Sequence, residues 1–362
     1  MEGPVTPLDA LEQSQDMNAL LNAAHRVPHE QLLKFDELRP DVAAEMADPE
    51  AAGVEFASLP TLNSILKGHR RGELTVLTGP TGIGKTTLLT QIGLDLCARG
   101  VPTVFGSFEI KNTRLSRVML TQLAGKPLEG DPEGFSSYAD TLTTMPMHFL
   151  RFFGAADVNA VTDALEYAVD VHDVGHVILD NLQFMLSSVA TSMMDRLDAQ
   201  DVAISRFRRF ATEHNVHVTL VIHPRKTDEP LLSTTSVFGN AKATQEADNV
   251  IMLQNGKSFR FLDVRKNRYN GNLGVIPLVF DKSSLLYREL HPYAMDAVQQ
   301  DALKELRSWQ GLNTDFLQWR RPSSSHVQSK PPPFQKQQQQ QKRIEPSVSL
   351  LDAASALSES VN

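Results

Sequence analysis

The stretch Gly79-Pro80-Thr81-Gly82-Ile83-Gly84-Lys85-Thr86 constrains this chain more than any other. It matches G-x-x-x-x-G-K-[ST] letter for letter, and it lies between an apolar run, "ELTVLTG", and a helical pattern, "TLLTQIGLDLCARG". A buried strand must therefore feed a tight turn that opens a helix. Glycines let the backbone wrap an anion, and successive amides at the helix N-terminus point at it. In such a loop Lys85 reaches the β- and γ-phosphates of a nucleotide and the Thr86 hydroxyl ligates Mg²⁺. Gly79, Pro80, Thr81, Gly82, Ile83, Gly84, Lys85, Thr86 and Thr87 are accordingly assigned to ATP or another NTP. A Gly-rich turn that binds nothing is the plain alternative, and the strand-before, helix-after context argues against it. Ile83 is bulkier than the small residue expected before Gly84.

The rest of the chain falls into three zones. From about residue 8 to 66 apolar residues recur at three- and four-residue spacing, punctuated by Pro28, Pro40 and Pro49. Short helices are expected there, either packed locally or forming an arm that docks on a neighbouring subunit. From about 68 to 287 strand-like and helical patterns alternate. "ELTVLTG", "VPTVFGSFE", "GHVILDN" and "HVTLVIHP" are nearly continuous apolar runs, as a sheet buried on both faces requires. The βα order implies a doubly wound, mainly parallel α/β sheet. "NVIMLQ", "FRFLDVRKNR" and "GVIPLVFD" follow with only turns between, and "YNG" signals a hairpin, so the sheet is expected to end in antiparallel strands. Beyond about 320 the Pro-, Ser- and Gln-rich composition predicts disorder. These zones give a helical linker or oligomerisation region over 1–66, a motor domain over 67–290 and an extension over 291–362.

Composition narrows the class. With 41% hydrophobic and 22% charged residues the chain reads as globular, and no apolar run approaches a membrane span, so no membrane insertion is expected. The single cysteine, Cys97, excludes an internal disulfide framework and a cysteine-rich zinc site. A net charge of −8 leaves room for nucleic acid only where Lys and Arg are focused on one groove or channel. The acidic start "MEGPVTPLDALEQSQD" carries neither a signal peptide nor an Arg-rich transit pattern. It is read as a protein that stays where it is made or as one that begins after a removed presequence.

Several polar residues end on the edge where the loop lies. Asp180 closes "HVILD", where it can hold Mg²⁺ through water together with Thr86. A strand-ending Asp is otherwise a common turn or helix cap. Glu109 ends "VPTVFGSFE" and can polarise an attacking water, or serve merely as a solvated carboxylate at a helix start. His223 ends "HVTLVIH" and is placed as a γ-phosphate sensor, since it falls beside the other three. Lys266 and Arg268, two apart on a late strand, share a face. They read either as a solvated basic hairpin, which spacing alone favours, or as a pair delivered in trans to a neighbour's ATP. The long segment after His223 carries Arg225, Lys226 and Lys242 with the permissive Gly239 and Asn240, suited to sequence-independent contacts with a phosphate backbone. An unremarkable surface loop is the alternative.

These stretches, in this order, resemble the hexameric replicative helicases with RecA-type motor domains, the superfamily of DnaB and the phage helicase-primases. The likeness is strongest to its mitochondrial, Twinkle-type branch. It rests on "LKGHRRGELTVLTGPTGIGKTT", "GSFEIKNTRLSRVMLTQ", "HVILDNLQFM", "HVTLVIHPRK", "FGNAKATQEADNV" and "KNRYNG", and covers roughly residues 18 to 285. The resemblance implies a RecA-like P-loop core and catalytic roles for Lys85, Glu109, His223, Lys266 and Arg268. It also implies a DNA loop around Phe238, Gly239, Asn240 and Lys242. It further implies a hexameric or heptameric ring moving 5′→3′ on single-stranded DNA and opening forked duplex. A replicative polymerase and a single-strand-binding protein are implied as partners, in a mitochondrial nucleoid. Nothing in the chain resembles the family's primase-like amino-terminal region, so the resemblance bears on ATP hydrolysis more directly than on DNA loading or the strength of unwinding. A RecA-like, filament-forming recombinase, or a truncated single-strand-binding module with weak ATPase, are the competing readings.

Overall fold

The computed structural model describes residues 32–47, 53–187, 193–224, 231–232, 242–256, 258–291 and 295–309. Two compact units divide at residues 51 and 52. In the first, α1 (Phe35–Ala47) opens with Asp36 and Glu37, which suit the positive end of its dipole. Pro40 lies inside this helix instead of ending it as the sequence reading expected. It stands in the second turn, where a proline removes one main-chain bond and the helix continues beyond it.

The second unit runs α2 (Pro60–Leu66), β1 (Leu74–Thr78), α3 (Lys85–Ala98), β2 (Thr103–Ser107), α4 (Asn112–Ala124), α5 (Pro132–Thr144), β3 (Met147–Phe149), α6 (Val158–His172), β4 (His176–Asp180), α7 (Leu182–Met185), α8 (Met193–Glu213), β5 (His217–Ile222), α9 (Lys242–Glu246), β6 (Asn249–Asn255), β7 (Arg260–Asn267), β8 (Gly274–Asp281), β9 (Leu286–Glu289) and α10 (Ala297–Trp309). The strands form one sheet in the order β3-β2-β4-β5-β1-β6-β7-β8-β9. The first six in that row are parallel, and β7, β8 and β9 continue antiparallel. The expected parallel core with antiparallel end strands is thus present. Two short strands, β3 and β9, extend it beyond the sequence reading.

Alternation along each parallel strand splits the core between two faces. Leu74 and Val76, Val177 and Leu179, and Leu220 and Ile222 pack on one side with Val161, Leu165 and Phe207 of α6 and α8. Leu77, Ile178, Val221 and Ile251 pack on the other with Leu88 and Leu89 of α3, Met119 of α4 and Ile65 of α2. Burial on both faces is why these strands read as unbroken apolar runs. Pro60 sits at the first helical position of α2, where its missing N–H costs nothing. Glu289 of β9 accepts from the Thr61 amide at 2.8 Å, tying that helix to the far end of the sheet. Among the described residues no helix is long and apolar enough to cross a membrane.

Candidate functional site: a phosphate loop and two sheet edges

Strand β1 enters the loop at Gly79 and α3 leaves it at Lys85. Gly84 has φ +103°, and a Cβ there would meet Tyr287 Oη at 2.2 Å, so the position excludes any side chain. Tyr287 Oη donates to Ile83 O at 2.7 Å and accepts from Arg260 Nη1 at 3.0 Å. The antiparallel strands thereby brace the loop from below. Ile83 is buried in the core with Leu77 and Leu88, which is what its bulk is for. The first amides of α3 have no partner within the helix and face the loop, as an anion site requires.

Lys85 is buried and donates from Nζ to Gly79 O at 2.8 Å and Pro80 O at 3.1 Å. Burial lowers its pKa, opposed by the charges of Asp180 and Glu109. Thr86 Oγ1 donates to Asp180 Oδ2 at 2.5 Å. Burial pushes the Asp180 carboxyl up to about 6, while Thr86 and Lys85 pull it down and Glu109 adds to the rise. A lysine, a hydroxyl and a carboxylate around a glycine cradle fit a nucleotide with Mg²⁺, since hard oxygen donors suit that ion. Among the described residues no cluster of three or more His, Cys, Asp or Glu could hold a metal unaided.

Glu109 stands two residues past the end of β2, in a bend, and His223 one residue past β5; neither lies within its strand as the sequence suggested. The registers Ser107↔Asp180 and Thr78↔Ile222 nonetheless bring all these ends to one edge. Asn181, which the sequence reading passed over, joins them. Its Nδ2 lies 2.7 Å from Glu109 Oε2 and 2.8 Å from His223 Nε2. Its Oδ1 accepts from the Phe184 amide at 2.9 Å, which fixes the amide's orientation and makes Nδ2 the donor to both. His223 Nε2 therefore accepts. Burial and then Lys85 lower the His223 pKa, and Glu109 raises it. Gln183 holds the same strand end, accepting the His223 amide at 3.1 Å. An Asn before the apolar run "LQFM" is a helix-cap signature, and that was the legible signal for Asn181.

Lys266 and Arg268 are elsewhere. Because β6 is parallel to β1 and β7 antiparallel to β6, the pairing Val250↔Lys266 puts the end of β7 beside the start of β1. The five-residue β1 separates that edge from the loop, roughly 17 Å at 3.3 Å per residue. The pair therefore cannot serve the loop of its own chain. Nor is it merely solvated: Lys266 Nζ donates to Thr244 O at 2.6 Å and Gln245 O at 3.0 Å, and Arg268 Nη1 to Asp248 Oδ1 at 3.1 Å. Of the expected DNA contacts, Arg225, Lys226, Phe238, Gly239 and Asn240 lie outside the described residues. Lys242 opens α9 and pairs with Glu246 at 2.8 Å.

A mainly parallel sheet with a glycine loop after its central strand, and carboxylates at the ends of neighbouring strands, defines a P-loop nucleotide-binding protein of the RecA-like kind. The chain belongs to the family described as AAA domain, whose model matches residues 40–229, more than half of its length. A curated relative, the DNA helicase/primase of Enterobacteria phage T3, is 22% identical over 266 residues, covering 66% of this chain and 46% of the relative. The chain thus spans about half the length of that relative. Among solved structures, the ATPase domain of G40P superposes with a TM-score of 0.63 at 15% identity, covering 71% of this chain and 99% of that one. A DnaB-like replicative helicase, solved for its interactions with primase, gives 0.59 at 14% identity, covering 77% and 72%. These likenesses carry the fold.

Proposed function

We propose that the chain is the motor of an ATP-dependent DNA helicase that works as a ring of identical subunits, each supplying Lys266 and Arg268 to its neighbour's nucleotide. One observation carries this. The loop, Thr86, Asp180, Glu109 and His223 converge on one edge of the sheet, while the two cations suited to a γ-phosphate sit at the opposite edge. A second copy placed head to tail brings the two edges together. The relative named as a DNA helicase/primase and the likeness to a DnaB-like helicase support DNA as the track.

ATP with Mg²⁺ supplies the phosphoanhydride and its charge neutralisation when bound. Lys85 and the loop amides hold the phosphates, and Thr86 with Asp180 holds the ion. Glu109 orients water, steadied by Asn181, and His223 reads the γ-phosphate through that same amide. Travel 5′→3′, a hexameric or heptameric ring and a role in mitochondrial DNA replication are parts of the same proposal, supported by the resemblance of the quoted stretches. The division into linker, motor and extension belongs to it too. The exposed apolar residues Leu38 and Met46 of α1 favour the linker as a surface for another copy.

The test is ATP turnover with and without a single strand, beside the mass of the assembly. Stimulation by DNA, opening of a forked duplex and a closed oligomer are expected. Arg268→Ala and Lys85→Ala subunits should each be inactive and regain turnover when mixed. Turnover indifferent to DNA, with no fork opened, sinks the helicase reading, and mixtures that stay dead sink the shared site.

A further inference from the structure

Arg268 does not stand alone at its edge. Its amide donates to Asp248 O at 2.9 Å, its Nη1 to Asp248 Oδ1, and its Nη2 to Gln245 O at 3.0 Å. Lys266 shares Gln245 O, so both cations cap the last carbonyls of α9, where positive charge is favoured. Asp248 is itself 6% exposed in its side chain, and Arg268 is 51% exposed. A buried carboxylate thus holds a half-exposed guanidinium against the body of the subunit.

The other oxygen of that carboxylate is fully engaged. Asp248 Oδ2 accepts from Arg208 Nη1 of α8 at 2.5 Å and from the Leu74 amide at 2.8 Å. Arg208 is anchored further by Gly72 O at 3.1 Å. Two arginines from two elements therefore share one buried acid, and only one of them belongs to the pair. Removing the single partner of a buried charge is severely destabilising, because the charge is left uncompensated. Here Arg208 stays behind, so Arg268 can swing out to a phosphate without stranding Asp248. Among the described residues the hydrogen bonds of Lys266 Nζ go to neutral carbonyls, so no carboxylate loses a direct partner when it leaves.

Resting on the shared-site reading above, we infer that Asp248 is the positioning residue for Arg268. It stores the arginine in its own subunit, with Arg208 as the permanent counter-charge that makes the arginine free to leave. Asp248 also receives the amide of Leu74, the first residue of the strand that ends at the phosphate loop. The subunit's own nucleotide loop and the arginine it lends are thereby joined through the five residues of β1.

The experiment uses the full chain with ATP and an oligothymidylate strand. Asp248→Asn should lower stimulated kcat at least about ten-fold, with KM for ATP within about two-fold. Its own loop is intact, so mixing it with Lys85→Ala should restore turnover where an Asp248→Asn loop meets an Arg268 from the Lys85→Ala subunit. Mixing it with Arg268→Ala should restore nothing, since both lack a working arginine. A merely structural role for Asp248 would not obey that rule of partners. If Asp248→Asn fails to assemble, Arg208→Gln takes its place. There Arg268 becomes the sole counter-charge of Asp248, turnover falls, and Lys85→Ala again rescues it. Wild-type turnover in either assembled variant, or no rescue by Lys85→Ala where Arg268→Ala is rescued, overturns the inference alone. Failure of Arg268→Ala itself to be rescued fells the shared site and this inference together.

Discussion

Three histidines meet beneath the amino edge of the sheet, and they set a pH limit on the fold. His69 lies with its ring centroid 4.5 Å from that of His176 and 4.3 Å from that of His217. All three are buried. Burial lowers each pKa, the other rings lower those of His69 and His176 further, and the Arg70 carbonyl and Glu73 partly offset the fall at His217. Among the described residues His69 Nε2 and His176 Nδ1 have no hydrogen-bond partner. A proton on this cluster would meet two more rings and the Arg70 cation, with Glu73 and Asp248 as the compensating charges nearby. The rings are therefore neutral in the folded state.

The sign follows from where the proton goes. The unfolded chain binds protons at these positions below an ordinary histidine pKa of about 6.5, and the folded chain does so only at lower pH, well below that value for His69 and His176. The stability they confer is complete above that value. It is lost as pH falls through it, until the folded pKa is reached. Each ring contributes a slope of at most about 1.4 kcal/mol per pH unit between its unfolded and folded pKa. For one ring the loss between about pH 7.5 and 5.5 is about 1.4 kcal/mol. Asp95, Asp180 and Glu289, whose carboxyls burial raises, pull the other way at lower pH, so the variant must be compared with the wild type at each pH. In His69→Leu the stability measured by urea unfolding should fall less than in the wild type by that amount, whatever the substitution does at neutral pH. Parallel curves over this range would mean that His69 takes up its proton in the folded state, and the account of the cluster would be wrong.

Other outcomes test the site itself. Gly84→Ala forces a Cβ into Tyr287 Oη at a φ that alanine resists, so binding of a fluorescent ATP analogue should disappear while α3 and the sheet persist by circular dichroism. Tyr287→Phe removes the bond to Ile83 O, a loss of about 1 kcal/mol, and should raise KM for ATP about five-fold. Asn181→Ala should lower kcat at least about ten-fold with nucleotide affinity nearly unchanged. Its acid limb should also move to higher pH, because the donated bond that favours neutral His223 is gone.

The loop, the parallel strands and Asp180 were legible because each is a local pattern: a fixed spacing of glycines, and apolar runs that burial on two faces demands. What was not legible depends on distant pairing. Met147–Phe149 and Leu286–Glu289 are too short to show a period, and each is a strand only because β2 or β8 offers it an edge. Helix α5 fully buries none of its residues, with Tyr138 and Leu142 only partly buried against the core, so its core-facing signal is weak, and its Asp131 cap bonded to the Gly134 amide was the available cue. Tyr287 had no local mark at all, since its meaning lies in a glycine two hundred residues earlier. The spacing of Lys266 and Arg268 suggested a common face. Their edge could not be read, because it depends on β7 running against β6 while β6 runs with β1.

In the proposed assembly, that reversal sets a division of labour between copies. Had β7 run parallel to β1, its end would have opened on the loop and the cations would have served their own nucleotide. Running antiparallel, it leaves them at the far edge, and in the proposed assembly a copy receiving them would present its own loop edge there. Such a contact is heterologous: a surface meets a different surface, so the joining can be repeated without limit. An open chain of subunits always leaves one loop without cations. Closure would complete every site, which is the physical reason the proposed ring would outperform a filament of the same length. The buried acid Asp248 sits at the root of the strand carrying the subunit's own loop and against Arg268, the arginine that the proposal lends to the next copy.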